Sequence, residues 1–490
     1  MLVKTAASSF GWNVAGSFVR HGASFAINII LARILGPEPY GLVAIAMLFL
    51  GIGNLIIDSG LNSGLIQKQD LTEKDVHYIF TVQLAIGILI AALISSLAPV
   101  IAAFYRQPEV AGVLQVLSIT SILQAASQTS VALLKRRLQF DRIQHASVIS
   151  YLAGYLGVGL WLVVAGYGVW GLVFAQLSTS ALYLFLIYAI ARHSIGLTLR
   201  DPGGVSKFGI KMLGTNVANW LISNYDNTAI GLVYGPTSLG LYTRAWTLAI
   251  TPVHMMISSA QSVLFSASSK LDGSVGRATN TFVGIFTLFG ITFFPFFIFE
   301  SLAAHDLIHF LYGERWSASA PILSILSFAM PFFVLMALEG PVLAGLGRPE
   351  IELKVQWLVL GFTLIVLLLA INFPLEMIIW SVVAIYVFRF WALSRVTFRY
   401  LAVTSHDHRK VWISILFFSI VTAITVQVTG LFATGLPIPV RLLLQAGMSL
   451  CVWSLVFFRG MRHFLPGQVE ELISQLLAKK LSPLFGIRGS

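Results

Sequence analysis

Polar residues are rare along this chain, and where they occur they keep helical intervals. Asn13, Ser17, Arg20, Ser24 and Asn28 step by 4, 3, 4 and 4 through an apolar stretch, which puts them on one face of a helix, with His21 beside them. Asn216, Asn219, Ser223 and Asp226 form a second stripe, flanked by Asn224 and Asn227. Thr247, Thr251, His254, Ser258 and Gln261 form a third, and Asn54, Asp58 and Asn62 a fourth. Around them run apolar windows of about 20 residues, enough to cross a bilayer core. Broken at Gly/Pro turns and charge clusters, these windows predict roughly fourteen spans. They lie near 10–34, 40–63, 78–103, 111–133, 145–165, 168–190, 207–233, 239–265, 280–300, 319–345, 354–372, 376–398, 412–432 and 440–459. The expected fold class is an all-α polytopic membrane protein.

The pattern is written twice. "LGPEPYGL" at Leu35–Leu42 and "YGPTSLGL" at Tyr234–Leu241 share Gly-Pro, three residues, Gly-Leu. The offset is constant, 235 − 36 = 199 and 240 − 41 = 199. At the same offset Ser17 falls on Asn216, Arg20 on Asn219, Asn28 on Asn227 and Asn62 on Gln261. Six spans separate the two copies, so the repeats are parallel, related by an axis along the membrane normal. The expected domains are a six-helix lobe at 1–200, a second at 201–402, two additional spans at 403–462 and an amphipathic cytoplasmic tail at 463–490. In that tail "VEELISQLLAKKL" (Val469–Leu481) reads either as an interfacial helix or as a short helix packed on the cytoplasmic end.

Composition agrees and redirects the charge. Of 490 residues 57% are hydrophobic and 10% charged, against about 25% charged in soluble domains. The net charge of +11 is therefore a topology signal and not a nucleic-acid footprint. Lys68, Lys74, Lys135, Arg136, Arg137 and Arg142 crowd one side of the predicted topology, while the other holds only Arg33, Arg106, Arg244, Arg315 and Arg441. Both termini are expected in the cytoplasm. The start does not read as a cleavable signal, because Arg20 and His21 interrupt its apolar stretch. The lone Cys451 has no disulfide partner.

The candidate chemistry lies at bilayer depth. A charge at mid-membrane costs about 2.5–3.5 kcal/mol on insertion scales, so it must face protein or water. Arg20, His21, Asn28, Asp58, Asn62, Asn216, Asn219, Asp226, His254 and Gln261 are the candidate cavity residues, on helices expected to enclose a hydrated path. Gly36, Pro37, Gly41, Gly235, Pro236 and Gly240 are the candidate hinges. Interhelical hydrogen bonding alone is the competing reading for the Ser and Thr positions. Arg244 lies near a span end, where snorkelling alone is a sufficient reading; Arg389 is a weaker cavity candidate, and Glu300 and Glu339 mark interfaces. "GYGVWG" (Gly166–Gly171) has dinucleotide-site spacing but no strand before it, so it reads as a turn between two spans. No Walker loop is present, and "SHDHRK" (Ser405–Lys410) reads as a basic loop and not a metal site. No cofactor, metal or catalytic residue is expected.

"NIILARILGPEPYGLVAIAMLF", "DSGLNSGLIQKQD", "NYDNTAIGLVYGPTSLGLYTRAW" and "LYGERWSASAPIL" resemble the polysaccharide-transporter (Wzx-like oligosaccharide flippase) branch of the multidrug/oligosaccharidyl-lipid/polysaccharide exporter superfamily. The resemblance implies two six-helix lobes in a V shape with two further helices. It implies translocation of undecaprenyl-diphosphate-linked oligosaccharide across the bacterial inner membrane by alternating access, for O-antigen, capsule or exopolysaccharide assembly. The lipid-linked substrate and the bilayer are the implied partners, with polysaccharide polymerase and chain-length machinery as candidates, and Arg20 carries over as a headgroup contact. A small-molecule exporter of the same superfamily is the first rival. A membrane polymerase or ligase is the second. It would need a large catalytic outer loop, and the 301–318 connection, with His305, Asp306, His309, Glu314 and Arg315, is too short to fold alone.

Overall fold

A computed structural model describes residues 22–57, 65–66, 68, 70–198, 210–269, 275–370 and 372–469. Arg20, His21, Asp58, Asn62 and the amphipathic tail beyond Val469 lie outside the described residues. Asn216 and Asn219 lie on a described helix, but their side chains are also outside. Among the described residues the regular structure is helical throughout.

A short apolar helix, α1 (Gly22–Leu35), is followed by α2 (Pro37–Ile57). Then come α3 (Glu73–Phe104), α4 (Glu109–Arg136), α5 (Phe140–Val164) and α6 (Val169–Ala191). The long α7 (Ile210–Ser269) is two arms joined at Gly235, whose φ of 77° and ψ of −177° are non-helical. After it run α8 (Val275–Leu302), α9 (Ala304–Tyr312), α10 (Ser319–Leu326), α11 (Met330–Gly345), α12 (Pro349–Ala370), α13 (Leu375–Tyr400), α14 (Ser405–Phe432) and α15 (Ile438–Phe464).

This is an all-α polytopic membrane protein. Among the described residues ten helices are long and apolar enough to cross a bilayer, or eleven when the α10–α11 pair, bent by 44°, counts as one. The expected fourteen are not reached by that measure. The difference falls on α1, of which only Gly22 onward is described, and on the arms of α7, whose polar stripes dilute their apolar character. Leu89, Trp161, Phe185, Leu368, Phe432 and Phe458 are all exposed. In water such surfaces are unfavourable by about 25 cal/mol per Å²; hydrocarbon accommodates them.

The chain divides into two compact units, Met1–Arg244 and Ala245–Ser490, with the boundary inside α7. In the first unit α4 packs along α2, α3 and α6, and α5 lies on α6. Polar side chains join helices where lipid offers no hydrophobic drive for association. Thr129 donates 2.8 Å to Gln83 Oε1, both buried. The entry to α3 is fixed by a capping box between Thr72 and Asp75, and Asp75 also pairs with Lys68 at 2.7 Å. The "GYGVWG" stretch is the turn between α5 and α6, with Gly166 and Gly168 at positive φ.

In the second unit α8 packs on α14, α14 on α15, and α13 on both α11 and α12. Glu300 accepts a 3.0 Å bond from Ser327, and Glu339 accepts from Ser394, so both carboxyls serve helix contacts. Trp453 Nε1 donates 2.8 Å to the Ile291 carbonyl. The 301–318 connection with His305 and Asp306 folds as α9 and a short 3₁₀ turn (Glu314–Trp316). There Asp306 is taken up by Arg441 of α15, and His309 sits 3.0 Å from Glu314. Asp407 of "SHDHRK" accepts from Thr404 at the start of α14, a helix-capping role.

Candidate functional site

The two copies of the Gly-Pro motif meet inside the first unit. Gly36 and Gly235 both have φ of 77°, a left-handed conformation that L side chains rarely adopt. Each hands the chain to a proline that opens the following helix segment. The second glycine of each motif then lies against the other copy. A Cβ on Gly41 would sit on the Pro236 carbonyl and 2.7 Å from Pro236 Cα. One on Gly240 would sit on the Pro37 carbonyl, 2.8 Å from its carbon. The motif is thus a reciprocal contact, in which each helix start needs a bare Cα where the other's backbone passes.

Next to this crossing is a polar cluster between α1, α2, α5 and α7. Asn28 Nδ2 donates 2.8 Å to the Ser24 carbonyl and 3.0 Å to Tyr151 Oη. Ser24 Oγ donates 2.9 Å to the same phenol oxygen. Arg244 donates 3.0 Å from a terminal nitrogen to Asn28 Oδ1 and lies 4.4 Å over the Tyr40 ring, a cation–π contact. Tyr155 stacks on Tyr151 at 4.7 Å between centroids and donates 2.9 Å to Gln176 Oε1. Tyr155 lies in a π-helical stretch of α5, Leu152–Gly159, and such insertions are frequent at functional sites. The buried Nε of Arg244 has no protein partner. A guanidinium held by one amide and one ring, with a free donor, is ready for an anionic or hydroxyl-rich group.

Of the expected cavity residues, the structure puts Asn28 in this cluster. Asp226 differs from expectation. It is only 3% exposed, its carboxylate accepts from Tyr242 Oη and, at 2.8 Å, from the Asn227 amide. It braces the two arms of α7 inside the fold. Arg244 does more than a residue near a span end need do: its guanidinium reaches Asn28 on α1 and the Tyr40 ring on α2. Tyr151 and Tyr155 on α5 and Gln176 on α6 are functional candidates that the polar-stripe pattern does not single out; the two tyrosines four residues apart are the available signal.

The remaining candidates fall in the second unit. His254 is exposed, its ring 6.5 Å from that of Phe333. Gln261 donates 2.8 Å to the Ala337 carbonyl and lines a cavity of about 630 Å³ with Phe333, Met336, Glu352, Gln356 and Arg389. Among the described residues, no group of three or more His, Cys, Asp or Glu is placed to hold a metal.

A bundle of long apolar helices of this kind defines the class as a polytopic membrane protein. The chain belongs to the polysaccharide biosynthesis protein family, whose model matches residues 30–321. It is 28% identical over 70% of its length to the succinoglycan biosynthesis transport protein ExoT of Rhizobium meliloti (strain 1021), covering 70% of that protein. It is 27% identical over 61% of its length to the teichuronic acid biosynthesis protein TuaB of Bacillus subtilis (strain 168), covering 62% of it. It is 20% identical over 64% of its length to the lipopolysaccharide biosynthesis protein WzxC of Escherichia coli (strain K12), covering 65% of it. Among solved structures, the lipid II flippase MurJ in an inward closed conformation matches 92% of this chain and 99% of its own with a TM-score of 0.74 at 13% identity. An inward-facing multidrug resistance transporter of the MOP superfamily matches 78% and 96% with a TM-score of 0.56 at 18% identity. These likenesses establish the fold.

Proposed function

We propose that the protein is a flippase for lipid-linked oligosaccharide units in the bacterial inner membrane, working by alternating access. On this reading it carries undecaprenyl-diphosphate-linked units to the outer leaflet for exopolysaccharide, capsule or O-antigen assembly. Its relatives ExoT, TuaB and WzxC carry names in polysaccharide biosynthesis, ExoT as a transport protein. The observation that carries the reading is Arg244, a cation at span depth with an unpartnered nitrogen, held on Asn28 beside two stacked tyrosines. Hydroxyl, amide and aromatic groups suit a sugar, and a guanidinium suits a phosphate oxygen. The Gly-Pro crossing supplies a pivot for a change between inward and outward states.

Reconstitution tests this directly. Proteoliposomes loaded with a fluorescent undecaprenyl-diphosphate oligosaccharide should expose it to an external glycosidase faster than empty vesicles, and an Arg244→Gln variant should lose most of that gain. A cationic dye extruded while the lipid-linked sugar stays put would favour a small-molecule exporter instead.

A further inference from the structure

The cavity of the second unit has a wall that the proposed flipping of a diphosphate headgroup does not explain. Arg389, on α13, is 9% exposed, and its Nε has no protein partner although it lines the cavity. Gln356 on α12 is 3% exposed, and its Oε1 is likewise without a partner. Glu352, one turn earlier on α12, lines the same space. Its carboxylate lies against Gly340, 3.0 and 3.1 Å from where a Cβ would project. Phe333 and Met336 of α11 supply an apolar side. The volume, about 630 Å³, falls within the roughly 300–1,000 Å³ of small-molecule sites.

We infer that this cavity recognises a carboxylate-bearing sugar residue, so that the cargo of the proposed flippase is an acidic oligosaccharide. The inference rests on the flippase reading and adds the substrate class. Its basis is the mixture of partners on the wall. A guanidinium takes a carboxylate through two parallel N–H bonds. Gln356 Oε1 is a buried acceptor without a protein donor, and the Glu352 carboxylate is a second acceptor on the wall. Sugar hydroxyls donate; a diphosphate, ionised, only accepts. Charge favours a carboxylate over a diphosphate: beside one Arg and one Glu, a diphosphate adds two or more negative charges, whereas a carboxylate adds one, placed on the Arg389 fork. A buried polar wall of this kind also rejects a ligand that lacks the matching group.

The test is calorimetric titration of the full-length protein in detergent with three probes: a glucuronate tetrasaccharide, a neutral glucose tetrasaccharide and inorganic diphosphate. The glucuronate oligomer should bind at least about tenfold more tightly than the neutral one. Arg389→Gln should abolish that preference, and Arg389→Lys should keep only part of it, since the charge remains and the fork is lost. Glu352→Gln removes a negative charge and keeps an acceptor oxygen, so it should strengthen the doubly or more highly charged diphosphate more than it strengthens glucuronate. Melting curves of each variant must match the parent, which separates loss of the site from loss of the fold. Equal affinity for acidic and neutral oligomers, tighter binding of diphosphate, or no saccharide binding overturns the inference. None of those results touches the flippase reading, which fails separately if lipid-linked sugar does not cross proteoliposomes containing the protein.

Discussion

Gly41 and Pro236 touch backbone to backbone, and Gly240 and Pro37 repeat the contact with the roles exchanged. The two positions of each motif therefore fail in different ways. Gly41→Ala or Gly240→Ala forces a methyl into a carbonyl and should cost about 1–3 kcal/mol, the usual range for overpacking. Gly36 and Gly235 have room beside them, Gly36 with nothing within 4 Å, but their φ is left-handed. Alanine there should cost about 1–2 kcal/mol of backbone strain. Valine at either should cripple transport while insertion into the membrane stays normal. Thermal melts in detergent and complementation of a deletion strain check both. Full activity of Gly41→Ala would remove the crossing from the mechanism.

Arg244, Asn28 and Tyr151 act as one unit on the geometry described above. Asn28→Ala removes the acceptor of Arg244 and a donor to Tyr151, leaving a half-buried guanidinium on one ring. The expected loss is about 1–3 kcal/mol, as for a charged donor left unpaired. Double-mutant cycles between Asn28→Ala and Arg244→Gln should show coupling of about 0.5 kcal/mol or more, whereas additive losses would mean that the bond contributes nothing.

Asp226 and Tyr242 should behave as a structural pair. Asp226→Asn and Tyr242→Phe should each lower the melting temperature, with the double variant no worse than the poorer single one. Substrate selectivity among lipid-linked sugars should not change. A changed selectivity with unchanged melting would return Asp226 to the translocation path.

The segment after α6 provides a pH test. His193 is buried, its Nε2 3.1 Å from Ser130 Oγ. Burial lowers its pKa, with the Ser194 carbonyl opposing and His77 adding to the fall. The unfolded histidine takes a proton below about pH 6.5, while the folded one resists, so stability is lost as pH falls through that range. The melting temperature should drop between pH 7 and pH 5.5, and His193→Gln should flatten that slope.

The helices were legible because hydrocarbon demands long apolar runs, and the glycine motif because a left-handed φ leaves little choice of residue. What the motif does was not legible, since an offset of 199 in sequence says nothing about Gly41 lying against Pro236 in space. The role of Arg244 is hidden for a similar reason: its place near a span end is visible in the sequence, but Asn28 and Tyr40 beside it are not. Arg389 looked weak as an isolated charge. It becomes informative only when Gln356 and Glu352, on another helix, share its cavity. Asp226 shows the converse, a polar stripe residue whose partner, Tyr242, sits across the Gly235 break of its own helix.

The central claim is translocation of a lipid-linked sugar, and leaflet distribution in a strain lacking the protein tests it most directly. Lipid-linked oligosaccharide should accumulate on the cytoplasmic leaflet, sealed from enzymes added outside, and surface polysaccharide should disappear until the wild-type chain is restored. Repeat units reaching the outer leaflet at the normal rate, in a strain with no second flippase of this family, would contradict the account.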